Sequence, residues 1–409
     1  MTNKATNDYI KAHLHDDVNS LALKGKPAEV DGPYAIRQIA AWQVAYHKIP
    51  LWSGIDDITY PQHLPLEQCS SQTTAEYKSR YIHTVLNLSD YSMVDLTGGL
   101  GIDCSFIAQY AQHAEYVEQN TELCTIAAHN FNLLKNSHLT PLSIDINVNN
   151  TTAEDYIQHS LQRSRHFDIA YIDPARRGKT GQKLVSVADC QPNVVALQED
   201  LLRIADTVII KLSPMLDITK ALNELKNITE VLVISVANEC KELLFIMQPT
   251  CAAEAIITAV ELSKKNPPIS ISSTMSSEKE IHIDYSTPLR YLYEPNAACM
   301  KSGLYCTIAG QFGVAKLSRH AHLYTSEQPA VDFPGRSFEI TSWFYFDKTS
   351  MKTLASTTAK ANITTRHFPM SAVELHHRFK IKEGGDVYIF ASTDASDKRL
   401  IIVCRRIAL

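Results

Sequence analysis

The stretch that decides the fold is Asp95-Leu96-Thr97-Gly98-Gly99-Leu100-Gly101-Ile102-Asp103, which joins an apolar run to the start of a helical pattern. Glycine has no side chain and tolerates positive φ angles, so its backbone can pass close to a ligand in a tight turn from strand to helix. The sequence therefore predicts a nucleotide-binding turn at the carboxyl end of a strand.

Carboxylates around this turn indicate which nucleotide it binds. The free amides at a helix N-terminus favour phosphate groups, but Asp95 and Asp103 would repel them. A second apolar stretch ends in Glu118, where a carboxylate can accept hydrogen bonds from both ribose hydroxyls. S-adenosylmethionine carries no phosphate and has a cationic methionyl group, so the pattern favours this methyl donor over NAD.

Composition predicts a large soluble protein. The 409 residues are 45% hydrophobic and 20% charged, with a formal net charge of -5, which is typical of two to four domains. The N-terminus is polar, and no apolar stretch approaches the roughly 20 residues that span a bilayer. The nine cysteines include no Cys-x-x-Cys pair, and His376-His377 lacks ligand spacing. We expect a cytoplasmic protein without a membrane segment or a metal.

Strand and helix patterns alternate in the middle of the chain. Strands are predicted at Met93–Leu96, Tyr116–Glu118, Leu142–Ile146, Ile169–Ile172, Thr207–Leu212 and Val231–Val236, with Ala255–Leu262 as a seventh and antiparallel last strand. This rhythm predicts a parallel, doubly wound α/β sheet.

Four domains are predicted from changes in these patterns. Residues 1–80 give helical signals, residues 81–272 hold the α/β core, and residues 280–330 form a small α+β module with a helix around Ala297–Phe312. Polar residues between 263 and 277 indicate a linker or hairpin before this module. Residues 331–409 follow a βαβαββ order: Phe338–Phe346, Lys352–Ala361, Ile363–His367, Ser371–Lys380, Val387–Ala391 and Leu400–Cys404.

An Asp-Pro pair follows the fourth predicted strand. The carboxyl ends of parallel strands face the ligand crevice, so we expect Asp173 to point at the transferable methyl group and to hold an amine hydrogen of the acceptor. Arg176 and Arg177 follow at the mouth of the cleft. They either meet a phosphate or carboxylate of the acceptor or pair with surface carboxylates.

Together, the glycine turn, Glu118 and Asp173-Pro174 resemble those of a class I S-adenosylmethionine-dependent methyltransferase. Leu66–Lys78 is similar to the Thr-containing helix start of trimethylguanosine synthases and related RNA guanine-N2 methyltransferases. The whole chain resembles bacterial methyltransferase-like proteins that end in a THUMP-like domain, whose pattern matches Phe368–Leu375 and Lys382–Asp386.

The resemblance implies a Rossmann-like, seven-stranded core that binds S-adenosylmethionine, and a THUMP-like domain that binds RNA. It implies contacts to the donor as follows: Asp95, Thr97, Gly98, Gly99 and Gly101 at the methionyl part, Glu118 at the ribose, Thr152 and Ala153 at the adenine, and Thr73, Asp103, Gln119 and Asp173 elsewhere in the donor site. Asp173 and Arg176 are the expected catalytic residues.

Two departures from family patterns narrow the chemistry. Amino-methyltransferases often follow the Asp-Pro pair with proline and an aromatic residue, where this chain has Ala175 and Arg176. Pyrimidine C5 enzymes need a thiol nucleophile after the fifth strand, but Lys211–Met215 contains no cysteine. C5 chemistry is therefore disfavoured.

The C-terminal residues carry the positive charge of the chain. Residues 316–409 hold 14 Lys and Arg against 9 Asp and Glu, a local charge of +5, and such charge attracts nucleic acid backbones. The leading hypothesis is methylation of an RNA base nitrogen in tRNA or rRNA, with the exocyclic amine of guanine as the favoured atom. A protein or small-molecule acceptor, and a donor-binding protein without catalysis, remain alternatives.

Overall fold

The computed structural model describes residues 3–61, 63–176, 186–249, 253–263 and 267–407. Two compact units divide the chain: Met1–Thr229 with Leu244–Ala252, and Glu230–Leu243 with Ala253–Leu409. Helices come first along the chain, an α/β region follows, and an α+β region ends it, so the predicted fold class is confirmed. The four predicted domain boundaries stay predictions.

The first unit begins with helices. These are α1 (Lys4–Ala12), α2 (Val18–Leu23), α3 (Gly32–Lys48), α4 (Pro50–Ser53), α5 (His63–Gln68) and α6 (Gln72–Thr84). Side chains of Asn3, Asp17, Asp31 and Ser71 accept backbone N–H groups where α1, α2, α3 and α6 begin. Such caps satisfy amides that have no partner inside the helix, which explains where these helices start.

A parallel sheet forms the core of the first unit. Its strands are β1 (Tyr91–Asp95), β2 (Ala111–Glu118), β3 (Ile146–Asn150), β4 (Phe167–Ile172) and β7 (Ala205–Leu212), in the order β7-β4-β1-β2-β3, while β5 (Ala175–Arg176) and β6 (Cys190–Gln191) form a short antiparallel pair. The helices of this region are α7 (Ile102–Ile107), α8 (Thr121–Lys135), α9 (Ala153–Gln162), α10 (Val194–Ile204) and α11 (Ile218–Glu224). The strand order reverses between β1 and β4, which is where such sheets open a ligand crevice.

The third strand lies later in the chain than the sequence indicated. The predicted Leu142–Ile146 ends where β3 begins, at Ile146. Leu142 is buried in the preceding loop, whereas β3 contains three asparagines and is only partly buried at the sheet edge. The apolar signal therefore marked the loop and not the strand.

The second unit begins within the hairpin of β8 (Ile228–Val236) and β9 (Glu239–Met247), and β9 passes into the first unit at Leu244. Ala237 and Asn238 at its turn have φ angles of 52° and 62°, as a two-residue hairpin requires. The strand β10 (Ile256–Leu262) pairs in parallel with β8 and in antiparallel with β11 (Ile269–Thr274), before α12 (Met275–Glu280). The prediction that Ala255–Leu262 is the antiparallel last strand of the core was therefore wrong. The chain reverses direction once more than the sequence indicated, in β9, so β10 runs parallel to β8.

A seven-stranded sheet completes the second unit, in the order β13-β14-β12-β15-β18-β17-β16. Its strands are β12 (Tyr291–Pro295), β13 (Ala315–Lys316), β14 (Tyr324–Ser326), β15 (Gly335–Tyr345), β16 (Lys360–Thr365), β17 (Lys382–Thr393) and β18 (Arg399–Ile407), and its helices are α13 (Ala297–Ser302), α14 (Tyr305–Phe312), α15 (Lys348–Thr357) and α16 (Ala372–Phe379). The βαβαββ order is confirmed. The single helix predicted around Ala297–Phe312 is two helices, since Gly303 between them has a φ of 79°.

Within the described ranges, no helix combines the length and the apolar character that a bilayer crossing requires.

Candidate active site

The glycine turn between β1 and α7 is held against an aromatic side chain. The buried Tyr116 donates its hydroxyl hydrogen bond to the Gly99 carbonyl oxygen at 2.6 Å. A Cβ atom on Gly98 would lie 2.0 Å from the Tyr116 ring, and one on Gly101, whose φ is 86°, would lie 2.6 Å from the Phe131 ring. Only glycine fits these two positions, which explains the sequence motif physically.

Two of the predicted carboxylates shape the turn. Asp95 is 1% exposed and accepts the Thr97 amide hydrogen bond at 3.0 Å, and its burial raises its pKa well above the usual range. Glu118 accepts the Gly99 amide at 3.0 Å with one oxygen and the Asn120 amide at 2.8 Å with the other. Each Glu118 oxygen still has a lone pair for a ligand hydroxyl.

Asp173 is tied to both neighbouring strands at the end of β4. Its backbone amide donates to the Thr97 hydroxyl at 2.6 Å, and its carboxylate lies 2.6 Å from the Lys211 ammonium at the end of β7. These contacts fix the position of the Asp173 side chain and offset its charge.

A buried network of polar groups lies behind Asp173. The Asp103 carboxylate lies 3.1 Å from the Lys78 ammonium and 3.4 Å from that of Lys211, and accepts hydrogen bonds from Tyr171 and Ser70, both at 2.7 Å. Burial alone would raise the pKa of Asp103, but the two lysine charges and the two hydroxyls outweigh it and lower the pKa far below its usual range. The network therefore contains an ionised carboxylate between two ammonium groups.

A cavity of about 350 Å³ opens at this edge of the sheet. Eleven of the predicted site residues line it, and they come from the ends of β1, β2, β3 and β4: Asp95, Thr97, Gly98, Gly99, Gly101, Asp103, Glu118, Gln119, Thr152, Ala153 and Asp173. Thr152 also begins α9, because its hydroxyl accepts the Asp155 amide at 3.1 Å.

Some predicted residues lie elsewhere. Thr73 is on α6 and is not among the described residues that line the cavity. Arg176 belongs to the backbone of β5, but its side chain, like all of Arg177, lies outside the described residues. A larger cavity of about 610 Å³ lies among α1, α3 and α8, and its walls contain none of the predicted site residues.

Sequence reasoning missed the lysines of this site. Lys211 follows the apolar residues of a buried strand, and Lys78 is 1% exposed on a helix. A charge inside an apolar run signals a buried ion pair, because a solitary buried charge is too costly. The sequence could have raised this possibility, but it could not have named the partners.

A comparison with a solved structure that covers nearly the whole chain shows the family to which this protein belongs. The structure described as a "putative methyltransferase from Porphyromonas gingivalis W83" has 32% sequence identity, a TM-score of 0.86, and coverage of 99% of this chain and 99% of that chain. The family models that match are a ferredoxin-like domain at residues 291–334 and a THUMP domain-like model at residues 335–406. The chain belongs to the THUMP-like-domain methyltransferase family.

This relationship confirms the prediction of a methyltransferase. Other solved structures have lower sequence identity to this chain and lower TM-scores. A SAM-dependent methyltransferase from Agrobacterium tumefaciens has 14% identity and a TM-score of 0.29, over 43% of this chain and 61% of that chain. A structure described as a "putative RNA methyltransferase" from Pyrococcus horikoshii has 14% identity and a TM-score of 0.28, over 39% and 69%. A search of curated proteins found no match.

Proposed function

We propose that this methyltransferase transfers the methyl group of S-adenosylmethionine to a nitrogen of an RNA base in tRNA or rRNA, with the exocyclic amine of guanine as the leading acceptor. The observation that carries the proposal is the Asp173 carboxylate, which lines the cavity beside the glycine turn and is held by Lys211.

The lining of the cavity fits the donor. The cavity is lined by the carboxylates of Asp95, Asp103, Glu118 and Asp173, with Lys211 as the one cation among its described lining residues, which suits a cationic methionyl group better than a phosphate. Glu118 would hold the ribose with the lone pairs left by its two backbone contacts. Thr152 and Ala153 would lie at the adenine, and Gln119 beside it.

Chemistry at the acceptor needs alignment more than a strong base. The donor supplies an electrophilic methyl group on a sulfonium, which leaves as a neutral thioether. Asp173 would accept a hydrogen bond from the acceptor amine, so that the nitrogen lone pair points at the methyl carbon, and would take up or pass on the proton that the amine loses. Arg176 would bind a phosphate near the acceptor.

The contact between Lys211 and Asp173 favours a neutral acceptor. A free carboxylate would attract the cationic ammonium of a protein lysine, but here an ammonium already lies 2.6 Å from it. A nucleobase amine is uncharged and can use the carboxylate as a hydrogen-bond acceptor. The THUMP domain-like match and the +5 charge of residues 316–409 support RNA as the molecule that carries this amine.

The test incubates the protein and a radiolabelled methyl donor separately with cellular RNA, protein and metabolite fractions. We expect label in RNA, and we expect Asp173→Asn to abolish it while calorimetry shows unchanged binding of S-adenosylmethionine. Label only in protein or metabolites would overturn the RNA assignment, and undiminished transfer by the variant would remove Asp173 from the acceptor site.

A further inference from the structure

A glutamine outside the predicted site residues lies in the cavity wall near Asp173. In the short antiparallel pair of β5 and β6, Gln191 is the partner of Ala175, which follows Asp173 by two positions. All three residues line the cavity of about 350 Å³. Two residues of chain span at most about 7 Å and paired strand residues lie about 5 Å apart, so Gln191 and Asp173 can reach the same nucleobase.

The backbone around Gln191 is fixed on both sides. Before it, the Val187 amide donates a hydrogen bond to the Glu224 carboxylate of α11 at 2.7 Å. After it, Pro192 is buried and the Asn193 side chain caps the start of α10. A residue whose backbone is held in this way keeps its position when a ligand enters, which selective recognition requires.

The side chain of Gln191 has hydrogen-bonding groups to offer. It is exposed, and among the described residues its carboxamide makes no hydrogen bond. By contrast, Asp173 is paired with Lys211, and Glu118 accepts two backbone amides. A carboxamide presents an oxygen acceptor and an NH₂ donor side by side, so Gln191 brings both functions to this end of the cavity.

Stacking on an aromatic ring is not offered by the residues around Asp173. Ala175 and Arg176 follow the Asp-Pro pair, and neither is aromatic. Tyr171 is the only aromatic residue among the described lining residues, and it is 1% exposed and donates its hydroxyl to Asp103 at 2.7 Å. Among the described residues, hydrogen bonds to the edge of a base are therefore the available means of orienting it.

We infer that Gln191 is a specificity-determining residue that binds the edge of an acceptor guanine. Its carboxamide oxygen accepts the N1–H group and its NH₂ group donates to O6, while Asp173 accepts a hydrogen of the exocyclic amine. Adenine and cytosine have an acceptor nitrogen beside the amine in place of N1–H, so they cannot make the same pair of contacts. The inference rests on the proposed function, since it assumes that the acceptor is a guanine amine.

The test measures transfer from radiolabelled S-adenosylmethionine to cellular RNA, followed by digestion to nucleosides and chromatography. The variant Gln191→Met keeps the length of the side chain and removes the carboxamide. We expect kcat to fall at least about tenfold, because the amine is no longer aligned with the methyl group. KM should change less than about twofold, because a long RNA gains most of its affinity from its backbone. The share of label outside methylated guanosine should rise.

The matched control is Gln162→Met, the same substitution at an exposed glutamine at the end of α9 that is not among the described lining residues. We expect its kcat and KM to stay within about twofold of wild type. Calorimetry should show that Gln191→Met binds S-adenosylmethionine as tightly as wild type. An unchanged kcat for Gln191→Met, or a loss of donor affinity that accounts for the fall, would overturn the assignment.

Three further results separate this inference from the proposed function. Wild-type label in RNA nucleosides other than guanosine would refute the guanine contact and leave RNA methylation in place. No label in RNA would refute the proposed function and this inference with it. Label in guanosine that Gln191→Met neither slows nor redistributes would leave the proposed function standing and refute this inference alone.

Discussion

Replacing Lys211 by methionine removes one of the two ammonium groups that hold Asp103 ionised. It also removes the ammonium group that pairs with Asp173, which is the only such partner that Asp173 has among the described residues. Breaking a buried ion pair costs about 3 to 5 kcal/mol, because the remaining charge is left without a partner. Here Asp103 keeps Lys78 and two hydroxyl donors, and the Asp173 side chain is 37% exposed, so water can solvate it. We therefore expect a loss of about 3 kcal/mol in the free energy of unfolding, at the lower end of this range.

The pH dependence of this loss follows from Asp103. Its pKa is lowered in the folded state, so its ion pairs stabilise the fold fully above about pH 4, the usual range of an Asp pKa, and this stability is lost as pH falls through the lowered folded pKa. Removing Lys211 makes the pKa of Asp103 less depressed. The difference between wild type and variant should therefore be largest near neutral pH and shrink below about pH 4.

Urea unfolding followed by circular dichroism measures both quantities. The control is Lys226→Met, the same substitution at a lysine whose partner Glu199 is 82% exposed, with an expected change within about 0.5 kcal/mol. A loss below about 1 kcal/mol for Lys211→Met at neutral pH, or a difference that does not depend on pH, would refute the ion-pair network as a source of stability.

Three other perturbations test the donor site. Gly98→Ala places a Cβ atom 2.0 Å from the Tyr116 ring, so the turn must shift. Calorimetry should then show at least about tenfold weaker binding of S-adenosylmethionine. An unchanged affinity would contradict the described turn. Glu118→Gln, which can still accept one ribose hydrogen bond, should weaken donor binding less than Glu118→Ala, and equal losses would speak against a ribose contact. Because burial raises the pKa of Asp95 well above the usual range of an aspartate, donor affinity should increase with pH above that range as this carboxyl ionises, and Asp95→Asn should remove the increase. A persistent pH dependence in the variant would assign it to another group.

Local sequence determined the parts of the site that depend on backbone conformation. The sequence predicts the glycine turn, Glu118 and Asp173 as one group because each lies at the end of an apolar strand, and parallel strands bring their carboxyl ends to one edge, where all three line the cavity. The βαβαββ order of the C-terminal region was readable for the same reason, since alternation and helical periodicity are local properties.

Tertiary structure alone decided which charges meet. Ser70 and Lys211 are 141 positions apart, and nothing in either segment shows that both contact Asp103. Asp103 was expected to face the donor, and the structure also pairs it with the buried lysines. The direction of β10 likewise depends on β8 beside it, not on its own residues. The physical reason is that backbone geometry acts between neighbours in sequence, whereas the energy of a buried charge depends on whichever distant groups the fold brings within a few ångströms of it.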